Sequence, residues 1–269
     1  AIAMAGPTAR GATAYVTLEP CAHRSGRGAA CADALVEAGV SRVVAGIQDP
    51  DPRTAGAGMA RLREAGVAVE LTNHAASRLS LAGYLTRACL GRPHVTLKLA
   101  TSLDGQIALA NGSSRWITGP EARAHVHTRR ALADAILVGG ATWRHDAPRL
   151  DVRLPGLEAR SPERWVLTSD PLADARTIAT PGEIATMTGV QYLYVEGGAS
   201  TAAAFLTDDL VDRIELYTAP IVIGGGRPAI GNIGLSDLGD AQGRWALTHQ
   251  RRLGSDSFAA YERVRCSPA

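Results

Sequence analysis

At 269 residues the chain can form one large or two medium domains, each able to bury a core. Apolar residues make up 46% and charged residues 20%, and the net charge is only +2. Acidic and basic residues are interspersed and aromatics reach only 4%, so composition argues against nucleic-acid or anionic-membrane partners. The four cysteines do not form the dense framework of a small secreted scaffold, and no apolar run approaches the roughly 18 residues of a spanning helix. A reducing, cytoplasmic setting fits the cysteine usage best.

The chain opens without an initiator Met, in a pattern that is already helical, and reads as beginning inside an element. A strand-like run over 13–18 leads into Glu19-Pro20-Cys21, and a helical run over 31–38 starts at Cys31 and stops at Gly39. Two thiols therefore stand at the mouth of a strand–loop–helix unit. Zinc takes Cys and His in tetrahedral geometry, and zinc deaminases place a His-x-Glu ahead of a Pro-Cys and a second Cys. No His-x-Glu occurs in this sequence. Residues 43–47 read as a buried strand, Asp49-Pro50-Asp51-Pro52 as loop, 58–65 as a helix ended by Gly66, and 67–71 as a strand. This alternation predicts an α/β domain with a parallel sheet. One helix is expected over 75–90, followed by a domain boundary at Gly91-Arg92-Pro93, giving domains 1–92 and 93–269.

The second half restarts with a strand over 95–100, then the turn Ser102-Leu103-Asp104-Gly105 and a short strand over 106–109. Thr118-Gly119-Pro120-Glu121 predicts a helix with Thr118 as N-cap, running to about 132. Strands are expected at 135–138, 165–168, 192–195 and 214–223, a helix within 200–206, and a closing strand over 258–264. No Gly-x-Gly-x-x-Gly follows a strand. Instead Glu196-Gly197-Gly198-Ala199-Ser200 joins a strand to a helix, where small residues let backbone N–H groups approach a pyrophosphate. His125 and His127 lie about 200° apart on a helix and do not form a metal pair.

Several motifs occur together. They are Gly11-Ala12-Thr13-Ala14-Tyr15-Val16-Thr17-Leu18-Glu19-Pro20-Cys21, Cys31-Ala32-Asp33-Ala34-Leu35 and Gln48-Asp49-Pro50, then Leu97-Lys98-Leu99-Ala100 with Ser102-Leu103-Asp104-Gly105. Trp116-Ile117-Thr118, Ala141-Thr142 with Asp146-Ala147-Pro148, and Val195-Glu196-Gly197-Gly198 complete the series. In this order they resemble the bifunctional riboflavin-biosynthesis deaminase–reductases across essentially the whole chain. The resemblance implies a cytidine-deaminase-like α/β/α domain followed by a dihydrofolate-reductase-like α/β domain. It implies two steps on a phosphoribosylated aminopyrimidine, a zinc-dependent hydrolytic deamination and an NADPH-dependent reduction of the ribosyl group to ribityl. It also implies a homo-oligomer.

Carried over residue by residue, the resemblance makes Cys21 and Cys31 zinc ligands, with the third ligand and proton shuttle expected ahead of Ala1. The loop between the cysteines is one residue longer than the family's usual spacing. His23 is expected to line the substrate pocket, and Glu19 to be structural. Ala100, Trp116, Thr142, Asp146, Ser169 and the stretch Gly198, Ala199, Ser200, Thr201, Ala202, Ala203 and Ala204 would contact NADPH. Ser114, Arg130, Leu150, Arg153 and Glu196 would contact the substrate. Arg130 and Arg153 suit a phosphate because guanidinium offers charge and paired donors. Asp146 is the candidate catalytic group, and Lys98, on the central strand, could equally be a structural ion-pair partner. The passage from Ser169 to Gln191 is shorter than in the family. The alternatives are a reductase with an inactive deaminase domain, and a non-catalytic nucleotide-binding protein.

Overall fold

The computed structural model describes residues 1–23, 26 and 28–264. The chain divides into two compact units, Ala1–Gly91 and Arg92–Ala269. Among the described residues no helix is long and apolar enough to cross a membrane.

The first unit runs α1 (Ile2–Ala5), β1 (Thr13–Leu18), α2 (Cys31–Glu37), β2 (Arg42–Ile47), α3 (Ala57–Glu64), β3 (Ala68–Leu71), α4 (Ala75–Ser80) and α5 (Ala82–Leu90). Its sheet has the order β1-β2-β3 and is parallel throughout. Buried Val43 on β2, Leu35 on α2 and Leu62 on α3 form its core with Ala32, Val40 and Val67. The single helix expected over 75–90 is broken at Leu81, whose φ of −109° lies outside the helical range. Just before the break, Ser80 Oγ donates to the Ser77 carbonyl and competes with the helical ladder.

The second unit holds β4 (His94–Thr101), β5 (Gln106–Ala108), α6 (Pro120–Arg130), β6 (Ala135–Gly139), α7 (Gly140–Asp146), β7 (Glu163–Leu167) and β8 (Arg176–Ile178). It continues through β9 (Tyr192–Val195), α8 (Ala199–Thr207), β10 (Arg213–Thr218), β11 (Arg227–Pro228), β12 (Trp245–Leu253) and β13 (Asp256–Arg263). The eight-stranded sheet has the order β12-β13-β10-β4-β9-β6-β7-β8. From β10 to β8 neighbours are parallel, whereas β13 and β12 add on antiparallel. Alternate residues of each strand point to opposite faces. Leu97, Leu99, Leu193 and Val195 pack with Phe205 and Ala202 of α8 on one face. Ile136, Val138, Tyr194 and Tyr217 pack with Ala122 and Val126 of α6 on the other.

Three details differ from the sequence reading. The first helix of this unit starts at Pro120, and its N-cap is Gly119 rather than Thr118. The Gly119 N–H donates to Asp256 Oδ2 at 2.6 Å, so a carboxylate remote in sequence does the capping. The strand expected to reach residue 223 stops at Thr218, because the Ala219 N–H turns to the Thr101 carbonyl and that of Ile221 to the Ala219 carbonyl. Helix α7 and strands β8 and β12 carry no clear period in the sequence. The short passage after Ser169 holds β8 and a 3-10 turn, Pro181–Thr186, which bring Ile178, Ile184 and Met187 into the core.

Candidate active sites in the two units

In the first unit, β1 delivers Glu19-Pro20-Cys21 to the N-terminal end of α2. The Cys31 N–H donates to Cys21 Sγ at 3.3 Å, and the Ala32 N–H donates to the Cys21 carbonyl at 3.1 Å. Hydrogen bonding to Cys21, and then burial, push the Cys31 thiol up. Glu19, 3% exposed, is held by three backbone amides. Its Oε2 accepts from Gly56 at 2.9 Å and from Asp49 at 3.3 Å, and its Oε1 accepts from Met59 at 3.1 Å. Those bonds cap the start of α3 and tie it to β1, a structural role as read from the sequence. His23 Nδ1 lies 3.2 Å from Thr54 Oγ1.

Two thiols at one strand–helix mouth fit the Cys–Cys half of a tetrahedral zinc site. Among the described residues no group of three His, Cys, Asp or Glu side chains could hold a metal ion. The fit is therefore to half of a site.

In the second unit the expected residues gather at the C-terminal ends of the parallel strands, where ligands bind in open α/β sheets. Gly139 ends β6, and Gly197 and Gly198 join β9 to α8. These glycines make room for one another's neighbours. A Cβ on Gly139 would sit 2.3 Å from Thr201 Oγ1, and one on Gly197 would sit 2.4 Å from Thr201 Cβ. Thr142 Oγ1 lies beside Gly198, 3.9 Å from where its Cβ would be. The result is a bare backbone turn opening a nine-residue helix. The stretch 198–204 does not act as one surface, however. Ala199 and Ser200 border the turn, but Thr201 packs on the glycines, and Ala202 and Ala203 are buried in the core. The Ala202 N–H already donates to the Gly198 carbonyl, and Ala204 is half-buried.

Next to this turn lies a cluster of charges. Arg130 Nε and Nη2 donate to Glu196 Oε1 and Oε2 at 2.6 and 3.0 Å, while Arg130 Nη1 donates to the Asp151 carbonyl at 2.9 Å. Lys98 Nζ is 3.8 Å from Glu196 Oε2. Burial opposes ionisation of Glu196, but Arg130 and then Lys98 outweigh it and hold the carboxyl below the usual range. Burial pushes the Lys98 ammonium down despite Glu196. Lys98 thus stands as an ion-pair partner of Glu196. Arg130 spends three of its five N–H donors on Glu196 and the Asp151 carbonyl.

Arg153, half-exposed, is held by His127 and Asp151. Leu150 is only 4% exposed, with its side chain in the α6-side core and a φ of +55°, so it can offer a ligand only its backbone. Trp116 is 66% exposed, with the Arg123 guanidinium 4.7 Å from its ring centre. Ser114 and Ser169 are exposed, and Ala100 is half-buried near the end of β4. Asp146 is the exposed last residue of α7, and its carbonyl accepts from Arg115. Sequence reasoning gives no role to His127, because its partners Asp151 and Arg153 come from a separate loop and no local signal joins them.

A thiol pair on a strand–helix unit, followed by a parallel-sheet unit with a bare glycine turn and a charged cluster at the strand ends, defines a two-unit deaminase–reductase. Comparison with known proteins agrees. Residues 93–258 match the family described as RibD C-terminal domain, and residues 1–47 match the cytidine and deoxycytidylate deaminase zinc-binding region. The riboflavin biosynthesis protein RibD of Escherichia coli K12 is 37% identical over 95% of this chain and 83% of its own length. That of Mycobacterium tuberculosis H37Rv is 38% identical over 95% and 80%. A solved structure of Acinetobacter baumannii RibD superimposes with a TM-score of 0.85 at 32% identity, covering 98% of this chain and 84% of that one. The chain belongs to the RibD family of riboflavin-biosynthesis proteins. It is an enzyme of that pathway with a zinc-binding deaminase unit and an NADPH-dependent reductase unit.

Proposed function

We propose that the first unit hydrolyses the ring amine of a phosphoribosylated diaminopyrimidine and that the second reduces the ribosyl group of the deaminated product to ribityl. A related protein from Thermotoga maritima, whose structure superimposes with a TM-score of 0.81 at 27% identity, is a diaminohydroxyphosphoribosylaminopyrimidine deaminase/5-amino-6-(5-phosphoribosylamino)uracil reductase. The observation that carries the reading is the glycine turn before α8 standing beside the Lys98–Glu196–Arg130 cluster, one built for a pyrophosphate and the other for a polar ring.

In the reductase unit, NADPH would supply the hydride. Gly198, Ala199 and Ser200 would present backbone N–H groups to its pyrophosphate. Thr142, Asp146, Trp116, Ala100 and Ser169 would flank the rest of it. Glu196, held ionised by Arg130 and Lys98, would accept from the donor edge of the aminopyrimidine. Ser114, the backbone at Leu150 and Arg153 would hold its sugar phosphate. Asp146 is the candidate to move a proton near the sugar carbon. In the deaminase unit, Cys21 and Cys31 would supply two thiolate ligands to a zinc ion, whose chemistry when bound would be to lower the pKa of a water.

The test of the reductase is NADPH oxidation dependent on the deaminated phosphoribosylaminouracil. Glu196→Gln is expected to lower kcat/KM by about 100-fold, since it removes a charge-assisted acceptor and leaves Arg130 unpaired. An unchanged kcat/KM would remove Glu196 from the site. The chain is further proposed to be a homo-oligomer, as the family resemblance implies, and cytoplasmic, as its cysteine usage suggests. Light scattering on the purified protein tests the oligomer, and a monomeric mass would overturn it.

A further inference from the structure

His127 lies in the last turn of α6 and is half-buried. Its Nε2 is 3.4 Å from Arg153 Nε and 3.3 Å from Arg153 Nη2, and its Nδ1 is 3.2 Å from the Asp151 carbonyl oxygen. A guanidinium has only donors, and Nε2 faces two of them. The Arg153 amide N–H also donates to Nδ1 at 3.3 Å, so the ring meets Arg153 through both its backbone and its side chain.

The two arginines near the site are held in opposite ways. Arg130 faces a full carboxylate at 2.6 and 3.0 Å, which cancels its charge locally. Arg153 meets the Asp151 carboxylate only at 3.5 Å, and Arg149 competes for that carboxylate at 2.8 Å. Its closer side-chain contacts are to a neutral ring, which orients the guanidinium without cancelling its charge. The side chain stays 52% exposed.

We propose that His127 is a positioning residue of the reductase: through its ring contacts it aims the Arg153 guanidinium at the phosphate of the substrate. This rests on the reading of Arg153 as a phosphate-binding residue given above. The charged groups facing the ring are Arg130 on its own helix, Arg153 and Asp151 from the loop after α7, and Glu196 from the end of β9. Burial, and then Arg130 and Arg153, push the ring's proton affinity down against the Asp151 carbonyl and Glu196. The ring is therefore neutral at pH 7. In acid, a proton on Nε2 would face the guanidinium donors and turn Arg153 away.

The test is steady-state kinetics of His127→Ala, His127→Gln and Arg153→Ala, with thermal melting of each. His127→Ala is expected to raise KM for the phosphorylated substrate about tenfold, equivalent to 1.4 kcal/mol, with kcat and the KM for NADPH within about twofold. His127→Gln, whose amide can accept from Arg153 and donate to Asp151, is expected to restore most of that loss. Below about pH 6 the wild-type KM should rise more steeply than that of His127→Gln, which follows only the substrate phosphate's own ionisation. If Arg153→Ala leaves the substrate KM unchanged, the parent reading fails. If Arg153→Ala raises it while His127→Ala does not, the parent reading stands and this inference is overturned. Equal losses in kcat and in both KM values, accompanied by a lower melting temperature, would also overturn it.

Discussion

Gly58 shows how one hydrogen in place of a methyl group governs the thiol pair. A Cβ there would lie 1.7 Å from the Pro20 carbonyl oxygen, a backbone atom immediately before Cys21, and no flexible side chain can move to relieve it. Gly58→Ala is expected to cost more than the roughly 1–3 kcal/mol of ordinary overpacking and to shift Pro20-Cys21 away from α2. The checks are zinc per chain and the rate at which a thiol reagent labels Cys21 and Cys31. Wild-type labelling kinetics in the variant would show that Gly58 does not hold the pair. At this scale the sequence is informative where chemistry is concentrated. Glu19 reads as a structural residue, and three backbone amides hold it. What Arg130 meets is not legible locally, because an arginine's surroundings are set by the fold. Its partner Glu196 lies 66 residues away, and only folding brings the two together.

At the level of elements, the turn from β9 into α8 is the feature most exposed to substitution. Gly197→Ala would drive a methyl group into the buried Thr201 side chain, which already fills the space above Gly139. The expected result is a rise of about tenfold or more in KM for NADPH, because the first turn of α8 must tilt and its N–H groups lose their common aim. NADPH titration by fluorescence measures this. A Kd equal to wild type would remove the turn from the cofactor site. Strand β6 is legible because it is buried on both faces and reads as a continuous apolar run, and β4 because Val95, Leu97 and Leu99 alternate with Thr96 and Lys98. Strand β12 is not, since its side chains are mostly exposed and leave no alternation to follow. Helix α7 escapes notice because it opens on Gly140 and carries Thr, Trp, Arg and His in seven residues, with no apolar stripe. Thr118 looks like a cap because Thr before Gly-Pro-Glu usually is one. The true capping acceptor, Asp256, comes from the hairpin at the far end of the chain.

For the whole molecule, the second unit is fastened by a buried ion pair between its first residue and the entry to β10. Arg92 Nη1 and Nη2 donate to Asp212 at 2.6 and 2.9 Å, and Asp212 Oδ2 also accepts from the Val95 amide at 2.9 Å. The two side chains are only 8% and 9% exposed. Burial opposes ionisation of Asp212, but the Arg92 hydrogen bonds and then His94 outweigh it and hold the carboxyl below the usual range. A depressed folded value means that the stabilisation is fully present above the unfolded aspartate's pKa of about 3.9 and is lost as pH falls through the folded value. Arg92→Ala removes the guanidinium from a buried carboxylate and is expected to destabilise the second unit by about 3–5 kcal/mol at pH 7, less in acid. Denaturant titration followed by tryptophan fluorescence tests this, because all four tryptophans lie in that unit. A loss that does not shrink toward pH 3 would exclude the ion pair as its cause.

Strand β13 has a consequence for how the protein is made. Although it comes last in the chain, it does not sit at the rim of the eight-stranded sheet but between β10 and β12. During synthesis, β4, β9, β6 and β10 can assemble as they emerge from the ribosome. Yet β10 keeps a row of unsatisfied amides and carbonyls along one side until residues 256–263 arrive. The Gly119 amide likewise waits for Asp256. The nascent second unit therefore passes through a stage with an open edge that only β13 closes, and an unpaired edge is a template for aggregation.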